Sequence, residues 1–574
     1  MRQIRQVLAV MIALLLLLTG CRMTFSFSGT ETTAAAETQS LPQTATTFAE
    51  IHYLRPDMDA LRTQFEKSIS MHTDGTKLDA LLDELERCYE LYCDFYTMDT
   101  IAELRSYIDV SDDFYADETA FCLEAEAEVD QLFEQLMIAG ANCEYADKLE
   151  ERFWGEGLIG SYGGVSGEMY DDEYVALAQR EAELIMQYRA ELADATVCFR
   201  GEETLYRELT EDKTLSDSEL NEIDTLYYDK YAPILGEIYI ELVEVRQTLA
   251  AYLGYDSYED YAYEWVYERD YTPQQAQMLI EDIRTWIAPL YQKLNVKGAW
   301  DEVSYEPMTE AELIAQLDAA IKQTTGSVYD IFAFMKEHGL YDIGISEKKA
   351  DFSYQTYLDS YDWPFILVKT YGFSDDILAI SHEFGHFVDS FRNSNATYSI
   401  ELSEVFSQGM EYLVLCRLPE EQRSELQKIK LLDTLDTYAQ QASFAEFEHQ
   451  VYAIPAKELT AEKLNEISLQ TAKDFGYSSE EYEDYYAKSW IDIAHLFEYP
   501  FYVISYCASV DPAFQIYQME LEEQGTGLRQ FNLLLPRNHS GFLETLETQS
   551  KLQSPFAADR MKETAQVIEA LLKE

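Results

Sequence analysis

Two of the 8 histidines in this 574-residue chain, His382 and His386, stand four residues apart in ISHEFGHFVD, with Glu383 directly after the first. On an α-helix, residues i and i+4 lie one turn apart on nearly the same face. Both imidazoles can then point at one ion, and the carboxylate between them can reach a water beside it. Zinc lowers the pKa of such a water to about 7, so the glutamate can take its proton as the oxygen attacks a carbonyl. The competing reading is two histidines on an ordinary polar helix. With 8 histidines and 106 acidic residues, about 0.02 chance matches to H-[DE]-x-x-H are expected, so the metal reading is preferred.

Two histidines leave the site in need of a third protein ligand and an open position. ELSEVFSQGMEYLVLC (401–416) reads as the next helix and offers Glu401, Glu404 and Glu411. The first helix is expected to end near Arg392, about six residues past His386, because NSNAT (393–397) is turn chemistry. A second helix packed antiparallel from about Tyr398 returns to the level of His386 about six residues in, at roughly 1.5 Å per residue. That position is Glu404. Glu401 and Glu411 fall about one turn short and two turns beyond, so solvated or supporting roles are expected for them.

The elements that must position these residues can be read from their flanks. FSDDILAISHEFGHFVDSF carries Ile377, Leu378, Ile380, Phe384, Phe387 and Val388 as its apolar side, and Asp375–Asp376 suit a first helical turn. Gly385 costs helix stability relative to alanine; a close approach by another backbone or by substrate is expected to explain it. Just upstream, SYQTYL (353–358) and PFILVKTYG (364–372) are β-rich and predict a small sheet beside the motif helix. The rest reads as helix. TKLDALLDELERCYELYCDFY (76–96) repeats leucines at spacings of three and four, and 118–140, 171–193 and 231–255 follow the same style. Thr272-Pro273 is a helix start. LIGSYGGVSGEMY (158–170) reads as a loop, and the polar segment 209–224 reads as a boundary between lobes.

The net charge of −64 excludes nucleic acid and anionic headgroups as natural ligands and favours neutral or cationic partners. At the N-terminus, Arg2 and Arg5 precede the apolar run Val7–Leu18. This is too short for a bilayer, which takes about 20 residues, and it has the form of a secretory signal. Its end, LTGC, resembles a bacterial lipobox, with Cys21 as the lipidated first residue. The expected organisation is a signal peptide over 1–20, a Thr/Ser/Ala-rich tether over 21–48, an N-terminal helical lobe over 49–215 and a catalytic domain over 216–574. The expected location is outside the cytoplasm, lipid-anchored to a bacterial cell membrane. The other cysteines, Cys88, Cys93, Cys122, Cys143, Cys198, Cys416 and Cys507, show no CxxC spacing and are expected as free thiols.

Several ordered segments together carry a family likeness. YLDSYDWPFILVKTYG, the HEFGH helix, SEVFSQGMEYL, YAQQASFAEFEHQVYAI (438–454), LTAEKLNEI (459–467), HLFEYPFYVISYCAS (495–509) and LQSPFAADRMKETAQVIEALL (552–572) resemble the thimet oligopeptidase and oligoendopeptidase F family of zinc metallopeptidases. The likeness covers roughly 225–574; the N-terminal part matches in helical character alone. It implies a mainly α, two-lobed zincin-type body with a deep substrate channel. One Zn2+ per chain would be held by His382, His386 and Glu404, with Glu383 as catalytic base. It also implies that a histidine and tyrosines of the 495–509 segment hydrogen-bond the substrate carbonyl and the developing oxyanion. By position these are His495, Tyr499 and Tyr506, with Tyr502 beside them; core packing is the ordinary alternative for each tyrosine. The strand near PFILVKTYG would offer backbone hydrogen bonds to an extended peptide. Asp389 stands where many members carry another histidine, and the segment after His495 lacks the glycines of the animal members. The implied function is a monomeric endopeptidase of short oligopeptides. A peptide-binding lipoprotein on the same fold, and a carboxypeptidase or dipeptidase, are the alternatives.

Overall fold

The computed structural model describes residues 45–573 except 156–158, 160–171, 211, 213, 325–326, 394–398, 480–481 and 537–540. The signal-peptide and lipobox readings, most of the tether, most of the 158–170 loop and most of the NSNAT turn lie outside the described residues. The protein is mostly helical, with two small sheets among the described residues. No described helix is long and apolar enough to cross a membrane. The seven described cysteines are unpaired.

Two larger buried clusters organise the helices. The smaller gathers apolar side chains between Leu61 and Ile159, chiefly from helices Met58–Met71, Leu78–Ile108 and Asp113–Ala141. The larger runs from Leu104 to Ile568. It takes in Tyr174, Leu184 and Tyr188 of helix Asp172–Ala193, so this helix packs with the catalytic part of the chain. The polar segment at 209–224 leads into helix Asp217–Leu253, which opens with a Ser216–Glu219 capping box.

The three-stranded sheet sits directly under the motif helix. Trp363–Lys369 is the central strand, parallel to Tyr341–Gly344 and antiparallel to Tyr354–Leu358, with Ile366 opposite Tyr341 and Trp363 opposite Leu358. Residues 364–368 are buried throughout, as a strand covered on both faces must be. Pro364 is tolerated because the parallel pairing begins only at Ile366. Ile366 and Leu367 are flanked on both sides, and the edges of this sheet are Tyr341–Gly344 and Tyr354–Leu358.

Candidate active site

The motif helix spans Asp376–Asn393, and helix Ile400–Leu415 packs against it. Every residue from Glu401 to Leu415 is buried. The two backbones cross at Gly385. A methyl group there would lie 2.4 Å from the Phe406 carbonyl oxygen and 2.5 Å from Ser407 Cα. The glycine is therefore the contact point that brings Glu404 up to the histidines, and a neighbouring backbone accounts for it.

His382, His386 and Glu404 each present a ligand atom, and these atoms lie within 4.8 Å of one another. His382 Nε2 is 3.6 Å and His386 Nε2 3.8 Å from the Glu404 carboxylate. The other ring nitrogens are held from behind. His382 Nδ1 lies 2.9 Å from Glu411 Oε1, and His386 Nδ1 lies 2.9 Å from the Ser403 hydroxyl. With Nδ1–H donating to these acceptors, both Nε2 lone pairs face the common point. Ser407 donates to Glu404 Oε2 at 2.9 Å and fixes that carboxylate. Glu411 is itself paired with the buried Lys430 ammonium at 2.7 Å. Burial opposes charge on His382, yet the Glu411 hydrogen bond and the Glu404 carboxylate raise its pKa to about 9. The cluster thus has a strong demand for positive charge, and a set of two imidazoles and one carboxylate fits zinc.

Glu383 is buried, and its Oε2 has no hydrogen-bond partner among the described residues. Burial lifts its pKa to about 7, against the pull of His382. An unpartnered buried carboxylate oxygen is costly and is suited to exchanging a proton near neutral pH. A trough of about 560 Å³ is lined by His382, Glu383, Glu404, Glu411, Lys430 and Tyr506, with Trp300 and Tyr305 among its further walls.

The 495–509 segment forms a short helix Ala494–Glu498, a turn, and helix Ile504–Glu522. Tyr506 lies in the wall of the trough. His495 packs edge-on to Tyr506, with ring centroids 6.0 Å apart, and burial lowers its pKa, which keeps the imidazole neutral. Tyr502 is tilted against His495 at 5.1 Å. Neither His495, Tyr499 nor Tyr502 is among the residues lining the trough. Tyr499 lines a different cavity together with Arg189 and Glu498.

The turn is held without glycine. Phe501 has a left-handed backbone with φ 66°. Its N–H donates to Glu448 Oε1 at 2.7 Å, and its carbonyl accepts from Arg269 at 2.8 Å. Tyr267 donates to the Pro500 carbonyl at 2.9 Å and Arg246 to that of Phe497 at 2.5 Å. Such a conformation costs a non-glycine residue about 1–3 kcal/mol and persists only where the surroundings enforce it. Glu401 serves this clamp. It is buried and accepts from Arg269, Tyr271 and Ser505. Asp389 accepts from Asn393 at 2.7 Å.

Sequence reasoning did not single out Ser403, Ser407, Lys430, Arg246, Arg269 or Glu448. Ser403 and Ser407 flank Glu404 at one residue before and three after, positions from which a supporting hydroxyl can be sought. The other four are far from the motif in sequence and carry no local signal.

The comparisons with known proteins agree with this geometry. A peptidase M3 N-terminal domain matches residues 48–159, and peptidase family M3 matches residues 335–537. Oligoendopeptidase F (chromosomal) of Lactococcus lactis subsp. cremoris is 32% identical over 169 residues, 27% of this chain and 28% of the relative. That match spans less than a third of the relative's length. Among solved structures, one assigned to oligoendopeptidase F is 25% identical with a TM-score of 0.71, covering 92% of this chain and 99% of the other. Another, from Bacillus anthracis str. Ames, is 25% identical with a TM-score of 0.66, covering 92% and 98%. PZ peptidase A bound to an inhibitor shares the fold at 23% identity and a TM-score of 0.71, covering 92% and 99%.

Proposed function

Because the chain belongs to peptidase family M3, we propose that it is a zinc-dependent endopeptidase that cuts internal bonds of short oligopeptides. The observation that carries this reading is the convergence of His382, His386 and Glu404 beside the unpartnered Glu383 oxygen, on the wall of one trough. A zinc ion held by these three residues would supply Lewis acidity, lowering the pKa of a water and polarising a peptide carbonyl.

The remaining steps belong to the chain's own groups. Glu383 Oε2 takes a proton from the attacking water and later gives it to the leaving amine; a pKa near 7 allows both directions. Tyr506 and neutral His495 donate hydrogen bonds to the carbonyl oxygen as its charge grows. Glu411 and Ser403 keep the imidazoles in the required tautomer. The Phe501 turn holds the donors in place. Tyr499 shapes the segment rather than touching the reacting atoms.

The N-terminal pattern supports secretion and anchoring through lipid on Cys21, with trimming of peptides outside the cytoplasmic membrane. Cys21→Ala should move the protein from the membrane to the soluble fraction. The activity is tested with a quenched fluorescent decapeptide. Internal cleavage that is lost with chelator and in Glu383→Gln, with zinc still bound to that variant, supports the reading. Removal of terminal residues only, or cleavage by Glu383→Gln, overturns it.

A further inference from the structure

The trough beside Glu383 is charged unevenly. The carboxylates of Asp375, Glu383, Glu404, Glu411 and Asp433 stand on its walls, and Lys430 carries the one ammonium among its lining residues. A divalent ion and Lys430 together offset three of these five charges, so two stay uncompensated. The contacts show where the excess lies. Lys430 is shared by Glu411 at 2.7 Å and Asp433 at 3.0 Å. The side chains of Lys430 and Glu411 are each 7% exposed, whereas that of Asp433 is 51% exposed. Glu411 therefore holds the buried ammonium, and the surplus negative charge of the three faces the open trough on Asp433. Asp375, immediately before the motif helix, is partly buried and forms no ion pair among the described residues. Burial raises its pKa, which is the cost of a carboxylate that no cation offsets.

Two aromatic rings, those of Trp300 and Tyr305, line the same trough. Burial and then the Asp375 charge raise the pKa of the Tyr305 hydroxyl, so this ring lies within electrostatic reach of that carboxylate. Asp433, Thr437 and Gln441 follow at intervals of four on helix Glu420–Tyr452, so polar groups continue along this wall for about two turns. A lysine or arginine side chain matches such a lining. Its aliphatic stem can lie on aromatic rings while its charged head reaches a carboxylate. A cleft lined by one sign of charge also concentrates the opposite sign. A glutamate in the same place would meet repulsion, and a neutral side chain would leave the surplus charge unanswered. We infer that the trough selects peptides with a lysine or arginine near the scissile bond, with Asp433 as the residue that receives the cation and Asp375 reinforcing it. The inference rests on the proteolytic reading and names its substrate class.

The test uses the zinc-loaded full-length protein and quenched fluorescent decapeptides blocked at both ends, so that no terminal ammonium competes. One lysine is walked through the positions on either side of the cut bond. Each peptide is compared with its norleucine and glutamate counterparts. At one position or more, kcat/KM for lysine should exceed that for norleucine about tenfold, the scale of one hydrogen bond to a charged group, with glutamate lowest. Asp433→Asn should remove most of that ratio and Asp375→Asn part of it, and added salt should shrink it. Each ratio is taken within one variant, so a general loss of activity leaves it readable. Cleavage of the norleucine peptides sustains the proteolytic reading whatever the ratio. If no peptide is cut, the affinities of the lysine and norleucine peptides, followed by fluorescence anisotropy, decide the inference on the same ratio. Lysine and norleucine treated alike at every position, or a lysine preference indifferent to both Asp433→Asn and Asp375→Asn, overturns the inference.

Discussion

Gly385→Ala is the substitution through which the packing and the chemistry can be tested together. On propensity alone it should stabilise the motif helix by about 1 kcal/mol. The crossing reverses that sign. The new methyl would meet the Phe406 carbonyl oxygen at 2.4 Å, Ser407 Cα at 2.5 Å and the Phe406 carbonyl carbon at 2.8 Å, where ordinary contact begins at 3.4 Å. All three are backbone atoms of a fully buried helix, so no side chain can swing aside. The helices must part by roughly 1 Å in a close-packed interior. Overpacking of this kind costs about 1–3 kcal/mol and occasionally more; less the propensity gain, net destabilisation of up to about 2 kcal/mol is expected. The same displacement carries Glu404, two to three residues from the contact, away from both Nε2 atoms. Disturbing ligand placement typically costs ten- to a hundredfold in metal affinity. Urea unfolding in EDTA reads the first effect, and competition against a chromogenic zinc chelator reads the second. A variant as stable as the parent, with unchanged zinc affinity, would refute the crossing as the device that assembles the site.

Glu411→Gln should weaken zinc binding about ten- to a hundredfold in the same competition assay, because the His382 Nδ1 partner loses its charge. It should also lower stability, since buried Lys430 loses its nearest counter-charge. Tyr506→Phe should lower kcat about a hundredfold with little change in KM, as expected for a donor engaged mainly in the transition state. Burial raises the Glu448 carboxyl to about 8 in the folded protein, against 4.5 for an ordinary glutamate side chain. A raised folded pKa means that its contribution is complete below about pH 4.5 and is lost as pH rises through 8. Glu448→Gln should therefore flatten the decline in urea midpoint between pH 5 and pH 8; an unchanged pH profile would show that Glu448 is ionised throughout.

The parts of the site that were legible in the sequence are those written in helical periodicity. Helix Asp376–Asn393 ends one residue past the expected Arg392, and the second helix starts at Ile400, close to the expected Tyr398. Counting rises along these two helices selected Glu404, the carboxylate that the structure places beside both histidines. Both β-rich stretches became strands, Tyr354–Leu358 and Trp363–Lys369. The third strand, Tyr341–Gly344, was not legible: four residues make no pattern, and its parallel pairing is long-range. Helix lengths were underread. The 76–96 pattern continues as Leu78–Ile108, because no glycine or proline stops it. The partners of the site were least visible. Lys430, Arg269 and Glu448 reach it through tertiary contacts from distant helices, and ion pairs of this kind leave no periodic trace in a chain rich in acids. Tyr499 packs near His495, with ring centroids 6.2 Å apart, and lines the cavity that also holds Arg189.

The central claim is that two imidazoles and one carboxylate, joined across the Gly385 crossing, form a single cation site next to Glu383. Anomalous diffraction from crystals grown with zinc, recorded on both sides of the zinc edge, tests it most directly. One peak per chain, in contact with His382 Nε2, His386 Nε2 and the Glu404 carboxylate and facing Glu383, is the predicted result. A peak coordinated by Glu411 in place of Glu404, or no peak between the two histidines, would contradict the account.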